Sequence, residues 1–424
     1  VSPRRRAIPV VLLLALLALP GWSAPAQAAD QVTRTVNTRT VTVKTPRRPA
    51  GVSAKTAIVL DAQTGTKLWG RRTRSRRLIA STTKMMTAIV AIERTRPQEM
   101  LRATAYRAGL GESLLGLTPG ERISAQDLIR GLMLVSGNDA ADTLAARTAS
   151  SRAAFVAAMN RKARALGLMR THFSNPIGLD SPKNYSTASD LAQLARYALT
   201  VPRLSSVVRR GHATLRSGSR VRRIKNLNPL IGRYRWAVGV KTGHTMAAGY
   251  LLVGAAQQTD ARLISVVTGE PTEAARLRDS AELLRYGRAF YRPLATLRRG
   301  RAVAVLPVKY RDSGVKVYPQ ADFSMAVRDG QRVALQLTAP KEVEGPRSRG
   351  SLVGRVVVLR DGRRVTSVPV LLGEAVPAPP PAAVMLHTLG RVLPFLLLAL
   401  ALALVGSIFF RPDEKRTRHT RFVG

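Results

Sequence analysis

Ile79-Ala80-Ser81-Thr82-Thr83-Lys84-Met85-Met86-Thr87-Ala88 opens an apolar stretch that continues through Ile89 and Val90 to Glu93. The spacing of its Met, Ile and Val residues predicts a helix from Ser81 to Glu93. A separation of three places Ser81 and Lys84 one turn apart on one helix face. A lysine amine there can take the serine proton, provided the lysine is neutral. A serine at a helix N-terminus also lies beside unpaired backbone N–H groups. Taken alone, the pattern equally describes a serine that caps a helix.

Two further patterns lie downstream. Ser136-Gly137-Asn138 follows an apolar run, Leu128 to Val135, that reads as another helix. A serine and an amide two residues apart on a loop can both point into one cleft. One can relay a proton while the other hydrogen-bonds a substrate amide. The same triplet is ordinary turn composition. Lys241-Thr242-Gly243, preceded by Val238 and Val240, sets a cation and a hydroxyl on a strand. Gly243 lets substrate backbone approach closely, and a strand edge can bind a peptide by strand addition. By itself this triplet reads as a surface turn.

Their joint occurrence, in this order, is more specific. Ser-x-x-Lys, a Ser-x-Asn element and Lys-Thr-Gly together mark penicillin-binding proteins and class A β-lactamases. The flanks narrow the match. They are Leu128-Ile129-Arg130-Gly131 leading to Ser136-Gly137-Asn138-Asp139-Ala140-Ala141, and Val240-Lys241-Thr242-Gly243-His244-Thr245. Thr171-His172-Phe173 with Gly178-Leu179-Asp180, and Ala248-Gly249-Tyr250, add to them. Over 53–290 the chain resembles the D-alanyl-D-alanine carboxypeptidase family. Residues 295–375 resemble that family's C-terminal domain more loosely. Thr82 departs from the family, which often has Leu there.

The resemblance implies an α+β class, the penicillin-binding/β-lactamase-like transpeptidase fold, with an antiparallel sheet flanked by helices. It also implies residue roles. Ser81 would attack the carbonyl between two terminal D-alanines, and Lys84 would be the general base. Ser136 would shuttle a proton to the leaving D-alanine, and Asn138 would hold the substrate amide. Lys241 would supply positive charge, and Thr242 would grip the terminal carboxylate. The N–H groups of Ser81 and His244 would form the oxyanion hole, with Gly243 between Thr242 and His244 on the substrate-binding strand. Arg276 matches by position an arginine that helps bind the carboxylate. The substrate would be a peptidoglycan pentapeptide stem.

The chemistry is coherent on physical grounds. Serine is a poor nucleophile until a base removes its proton. Lysine serves as that base only if its pKa falls, and burial and a second cation, Lys241, both lower it. No cofactor is needed. The five histidines show no pair at metal-ligand spacing and there is no cysteine, which argues against a zinc enzyme. A class A β-lactamase would require a glutamate between the second and third patterns, and none occurs from Arg122 to Val240. β-Lactams should therefore acylate Ser81 and leave slowly. A D,D-endopeptidase or transpeptidase is the nearest alternative chemistry. A non-enzymatic wall-binding protein is the alternative of another class, and retention of Ser81, Lys84 and Lys241 argues against it.

The ends of the chain address its location. Arg4 to Arg6, the apolar run Ile8 to Leu19, and Ala26-Gln27-Ala28 predict a signal peptide over 1–29. Residues 30–52 read as a polar, disordered lead-in, 53–291 as the catalytic domain and 292–374 as a small all-β domain with a hairpin turn at Asp361-Gly362. A Pro-rich linker is expected over 375–391. A transmembrane helix is expected over 392–410, long enough for a hydrocarbon core of about 30 Å, with Pro394 near its start. The basic tail 411–424 would be cytoplasmic. The body would then face the wall side of a cell membrane. The formal charge of +43 predicts affinity for polyanions such as anionic wall polymers or lipid head groups. Export opposes nucleic acid as a partner, and arginine-rich decoration of a solvated surface is the plainer reading.

Overall fold

Thr56–Asp61 is a run of six buried residues, and it lies inside a sheet. In the computed structural model, which describes residues 31–43, 48–258 and 261–409, this strand pairs antiparallel with Ala261–Glu270 and with Lys67–Arg71. The sheet continues from Ala261–Glu270 to Gly249–Gln258 and ends at the edge strand Ala237–Thr245. Alternation along a strand sends neighbouring side chains to opposite faces. Ile58 and Leu60 join one apolar core with Val253, Ile264 and Val266. Ala57 and Val59 join a second with Leu252, Leu263 and Val267. The sheet is covered on both faces, which explains why its strands read as continuous apolar runs.

Helices supply both covers. A short 3₁₀ turn, Ala80–Thr83, leads into α1 (Lys84–Ile92). It is followed by α2 (Ala125–Leu134), α3 (Asn138–Arg147), α4 (Arg152–Ala165), α5 (Ala188–Ala198) and α6 (Pro202–Val208). These pack with the first core, and α7 (Glu273–Arg288) packs with the second. Capping fixes four helix starts: Ser124, Ser151, Thr187 and Thr272 each accept a bond from the N–H three residues on. Each cap is worth about 1 kcal/mol. In α1, Met85, Met86, Ile89 and Val90 are almost wholly buried, each contributing about 1.5–3 kcal/mol by leaving water. That burial anchors the helix that carries Lys84.

The described residues divide into two units. One comprises Thr40–Ala295 with Ser324–Gln331; the other comprises the described parts of Val1–Arg39, Thr296–Phe323 and Arg332–Gly424. The second unit holds a six-stranded sheet in the order Gln31–Thr40, Arg332–Pro340, Leu352–Arg360, Arg363–Leu372, Gly314–Pro319, Ala304–Pro307. Asp361 and Gly362 both have positive φ, 51° and 77°, and join Arg360 to its partner Arg363, as a tight hairpin turn requires.

Three expectations are corrected. The expected disordered lead-in over 30–52 holds a strand: Gln31–Thr40 is an edge strand of the six-stranded sheet, and Thr33 Oγ1 lies 2.8 Å from Thr338 Oγ1. The boundary at 291/292 is not a single cut, because Ser324–Gln331 returns to the first unit. The linker over 375–391 is shorter than expected, since α8 (Pro381–Phe409) begins at Pro381 and carries Pro394 in its interior. Proline suits the first helical position, where no N–H partner is required. The helix is long and apolar enough to cross a membrane. The signal peptide over 1–29 and the tail 411–424 lie outside the described residues.

Candidate active site

Ser81 sits in the 3₁₀ turn and Lys84 begins α1, so the two are one tight turn apart. Lys84 Nζ lies 2.8 Å from Ser81 Oγ, 2.6 Å from Asn138 Oδ1 and 2.6 Å from the Ile177 carbonyl. The lysine side chain is fully buried. Burial pushes it well below the usual lysine range, and the charge of Lys241 adds to the shift; Glu112 and Asp139 oppose it. A neutral amine has two N–H donors and one lone pair. The Ile177 carbonyl can only accept, and so can Asn138 Oδ1. Those two contacts take both N–H donors and leave the lone pair for the Ser81 hydroxyl.

The backbone around Ser81 is held in an uncommon shape. Ala80 has φ +44°, the left-handed region that a residue with a Cβ rarely adopts. Gly178 (φ +96°) packs against it so closely that a Cβ there would stand 2.1 Å from the Ala80 carbonyl oxygen. Gly178 belongs to the loop that also presents the Ile177 carbonyl. Asn175 Oδ1 ties that loop by accepting from the N–H groups of Ile177, Gly178 and Leu179. Thr87 Oγ1 on α1 donates to the Pro176 carbonyl at 2.6 Å.

Ser136 and Asn138 flank the junction of α2 and α3. Ser136 is nearly buried, with φ +62°, and Asn138 is the first residue of α3. Asp139 clamps the facing loop through the N–H groups of Leu115, Gly116 and Leu117, at 2.8, 2.8 and 2.9 Å. Glu112 in that loop accepts from Asn138 Nδ2 at 2.6 Å, from the Gly109 N–H at 3.0 Å and from the Tyr106 hydroxyl. Burial alone would raise its pKa. The bonds from Tyr106, Asn138 and Gly109, with the charge of Lys84, outweigh that and hold it below the usual carboxylate range.

The third wall is the sheet edge. Lys241 is buried, with Nζ 3.0 Å from the Thr242 carbonyl. Burial and the neighbouring Arg276 guanidinium push it down to about 7. Gly243 is the strand's contact with the nucleophile turn. A Cβ there would lie 3.2 Å from Ala80 Cβ and 3.3 Å from the Ser81 nitrogen. The glycine thus admits the protein's own backbone, where the sequence suggested it admits the substrate's. His244 is exposed and stacks on Tyr250 with ring centroids 3.9 Å apart. Arg276, on α7, lies over the same ring, 5.3 Å from its centroid, and reaches the Gly243 carbonyl at 3.4 Å. Its Nε is buried without a hydrogen-bond partner, and Glu273 pairs its terminal nitrogen. Thr245 Oγ1 bonds Asp180 at 2.9 Å, joining strand end to loop.

The structure thus links Ser81, Lys84 and Asn138 by direct contacts, and it groups Lys241, Thr242, Gly243, His244 and Arg276 on the strand edge and α7. Gly243 joins the two sets. Ser136 occupies the turn beside Asn138. Sequence reasoning missed Glu112, Asn175 and Ile177. Ile177 acts through its backbone carbonyl and leaves no side-chain signal. Glu112 stands outside all three patterns.

Comparison with known proteins identifies relatives of the chain. A family model described as D-alanyl-D-alanine carboxypeptidase matches residues 41–272. The chain is 32% identical to the D-alanyl-D-alanine carboxypeptidase DacA of Escherichia coli strain K12, over 77% of this chain and 84% of that protein. Penicillin binding protein 5 from Haemophilus influenzae is similar in structure, with TM-score 0.55 and 29% identity, over 78% of this chain and all of that one. The Streptomyces K15 DD-transpeptidase gives TM-score 0.54 and 32% identity, over 58% and 100%. With the serine, its buried lysine and the strand edge in place, and with relatives matched over most of their length, the chain belongs to the D-alanyl-D-alanine carboxypeptidase family of serine peptidases.

Proposed function

We propose that the chain removes the terminal D-alanine from peptidoglycan pentapeptide stems through an acyl-enzyme on Ser81. The observation that carries this is the buried Lys84 amine 2.8 Å from Ser81 Oγ, with both its N–H donors committed elsewhere. Lys84 takes the hydroxyl proton as Oγ attacks the carbonyl carbon between the two D-alanines. The N–H groups of Ser81 and His244 hold the developing oxyanion. As the C–N bond breaks, the proton passes through Ser136 to the departing amine, and D-alanine leaves. Water then attacks the ester carbon and gives a proton to Lys84; the acyl–Oγ bond breaks, Lys84 returns the proton to Ser81 Oγ, and the shortened stem leaves as a carboxylic acid. Asn138 orients the stem amide. Thr242, Arg276 and the Lys241 charge receive the terminal carboxylate.

β-Lactams acylate the same serine and are released slowly, for want of a glutamate in the interval from Arg122 to Val240. Ser81→Ala abolishes labelling by a fluorescent penicillin and D-alanine release from a pentapeptide. Normal release by that variant would sink the mechanism. The likeness to a DD-transpeptidase supports a second reading, transfer of the acyl group to an amine. Crosslinked muropeptides and an added acceptor amine separate the two.

The apolar length of α8 supports single-pass anchoring in a cell membrane with the catalytic unit on the wall side. Anionic wall polymers are proposed as partners on charge. Arg72, Arg74, Arg76 and Arg170 lie around one open surface depression, where such a polyanion would meet positive charge.

A further inference from the structure

Asn138 is a primary amide in contact with Lys84, and an amide can present either its oxygen or its nitrogen. That choice matters because Lys84 alternates between ammonium and amine during the reaction proposed above. Facing an ammonium, the amide must show its oxygen. Facing an amine, a flipped amide could donate an N–H into the lone pair. That flip would occupy the base on which Ser81 depends. Lys84 therefore cannot by itself keep Asn138 in the productive orientation.

The opposite end of the amide can. Asn138 Nδ2 donates to Glu112 Oε2 at 2.6 Å. An ionised carboxylate only accepts, so a flipped amide would set two oxygens against each other at this distance. Glu112 is itself fixed by the Gly109 N–H and by the Tyr106 hydroxyl. The donors run one way, from Ser81 to Lys84 to Asn138 to Glu112, and the carboxylate ends the run by also accepting from Tyr106. We propose that Glu112 is a positioning residue for the reaction, which locks Asn138 with Oδ1 toward Lys84 and so keeps the lysine lone pair on the Ser81 hydroxyl.

This assignment rests on the reading of Lys84 as the base. It has an electrostatic corollary. Glu112 and Asp139 favour the protonated lysine, whereas Lys241 and burial oppose it. Removing the Glu112 charge thus lowers the pH at which Lys84 gives up its proton. A purely structural side chain would leave that pH in place.

The test uses the full chain. Acylation by a fluorescent β-lactam and D-alanine release are followed against pH for the wild type, Glu112→Gln, Glu112→Ala and Glu112→Asp. Glu112→Gln and Glu112→Ala should slow acylation about tenfold to a hundredfold, the range for losing one charge-assisted hydrogen bond. Their acidic limb should move to lower pH. Glu112→Asp keeps the charge and should keep the limb near its wild-type position, with part of the rate restored. Wild-type rates with an unmoved limb in both neutral variants would overturn the proposal. So would slow acylation with an unmoved limb, which would mean a merely structural role. If Glu112→Gln does not fold, Glu112→Ala, at a half-buried loop position, carries the same two readings. A wild type that neither takes β-lactam nor releases D-alanine would instead break the functional reading.

Discussion

The two units differ in what they bury. Among the described residues, every buried polar or charged side chain lies in the unit of Ser81, including Lys84, Lys241, Glu121, Arg222, Glu270 and Asp279. The six-stranded unit fills its interior with residues such as Val315, Val317, Leu337, Val356, Val358 and Val370. An isolated charge in a low-dielectric interior costs several kcal/mol, so it persists only where partners offset it or chemistry requires it. The apolar sheet gains stability from area and shape. The catalytic unit spends part of its stability on holding charges in place.

This contrast can be broken at several points, beginning with the largest expected effect. Arg222 grips Glu121 with two parallel bonds, 2.7 and 2.8 Å, both side chains being almost fully buried. Arg222→Met leaves the buried carboxylate without its counter-charge, held only by the Thr118 and Ser219 N–H groups, and should cost about 3–5 kcal/mol, read by denaturant unfolding. Burial would raise the Glu121 pKa, but Arg222 and the Thr118 and Ser219 N–H groups lower it to about 2. The folded value is depressed, so the stabilisation is complete above the unfolded value of about 4.5 and fades as pH falls toward 2. Arg222→Met should lose that acid dependence as well.

Leu337→Ala tests the other interior. It should cost about 2–5 kcal/mol through the cavity it opens, with D-alanine release unchanged well below the melting temperature. Parallel loss of activity would show that the units are not independent.

The smallest effect concerns Glu270. Burial first, then the hydrogen bond and charge of Asp279, push it up to about 8. The folded protein keeps this carboxyl neutral where the unfolded chain ionises it. Stability therefore declines as pH rises from about 4.5 to about 8. Glu270→Gln should match the wild type near pH 5 and melt at a higher temperature than the wild type at pH 8. Equal melting curves at both pH values would show that folding does not hold the Glu270 carboxyl neutral.

The helices that begin near Ser81 and Leu128 were legible because their periodicity survives folding: Met85, Ile89, Leu128 and Ile129 are apolar in the chain and buried in the core. Ser81, Lys84, Asn138 and Lys241 were legible because their spacing is constrained by one helix turn, one loop and one strand. Glu112 was not, because its partner Asn138 is brought to it only when Asp139 clamps the loop. The strand Gln31–Thr40 hid for another reason. It carries β-branched residues at Val32, Thr33, Thr35 and Val36, but as an exposed edge it shows no apolar alternation. Arg34 and Arg39 made it look like solvated coil, although charge on an edge strand also discourages pairing with a foreign chain. Pro394 misled by position, since a helix of 29 residues accommodated it inside.

That edge strand also sets a clock. Gln31–Thr40 is made early, yet its neighbour Arg332–Pro340 follows only after the whole catalytic unit. At a synthesis rate of about 5–20 residues per second, the strand waits roughly 15–60 s for its partner. During that interval the Ser81 unit can fold as a finished insert, before the strands Arg332–Pro340, Leu352–Arg360 and Arg363–Leu372 of the six-stranded sheet exist. The enzyme's chemistry is thus ready before the sheet that encloses its sequence is closed.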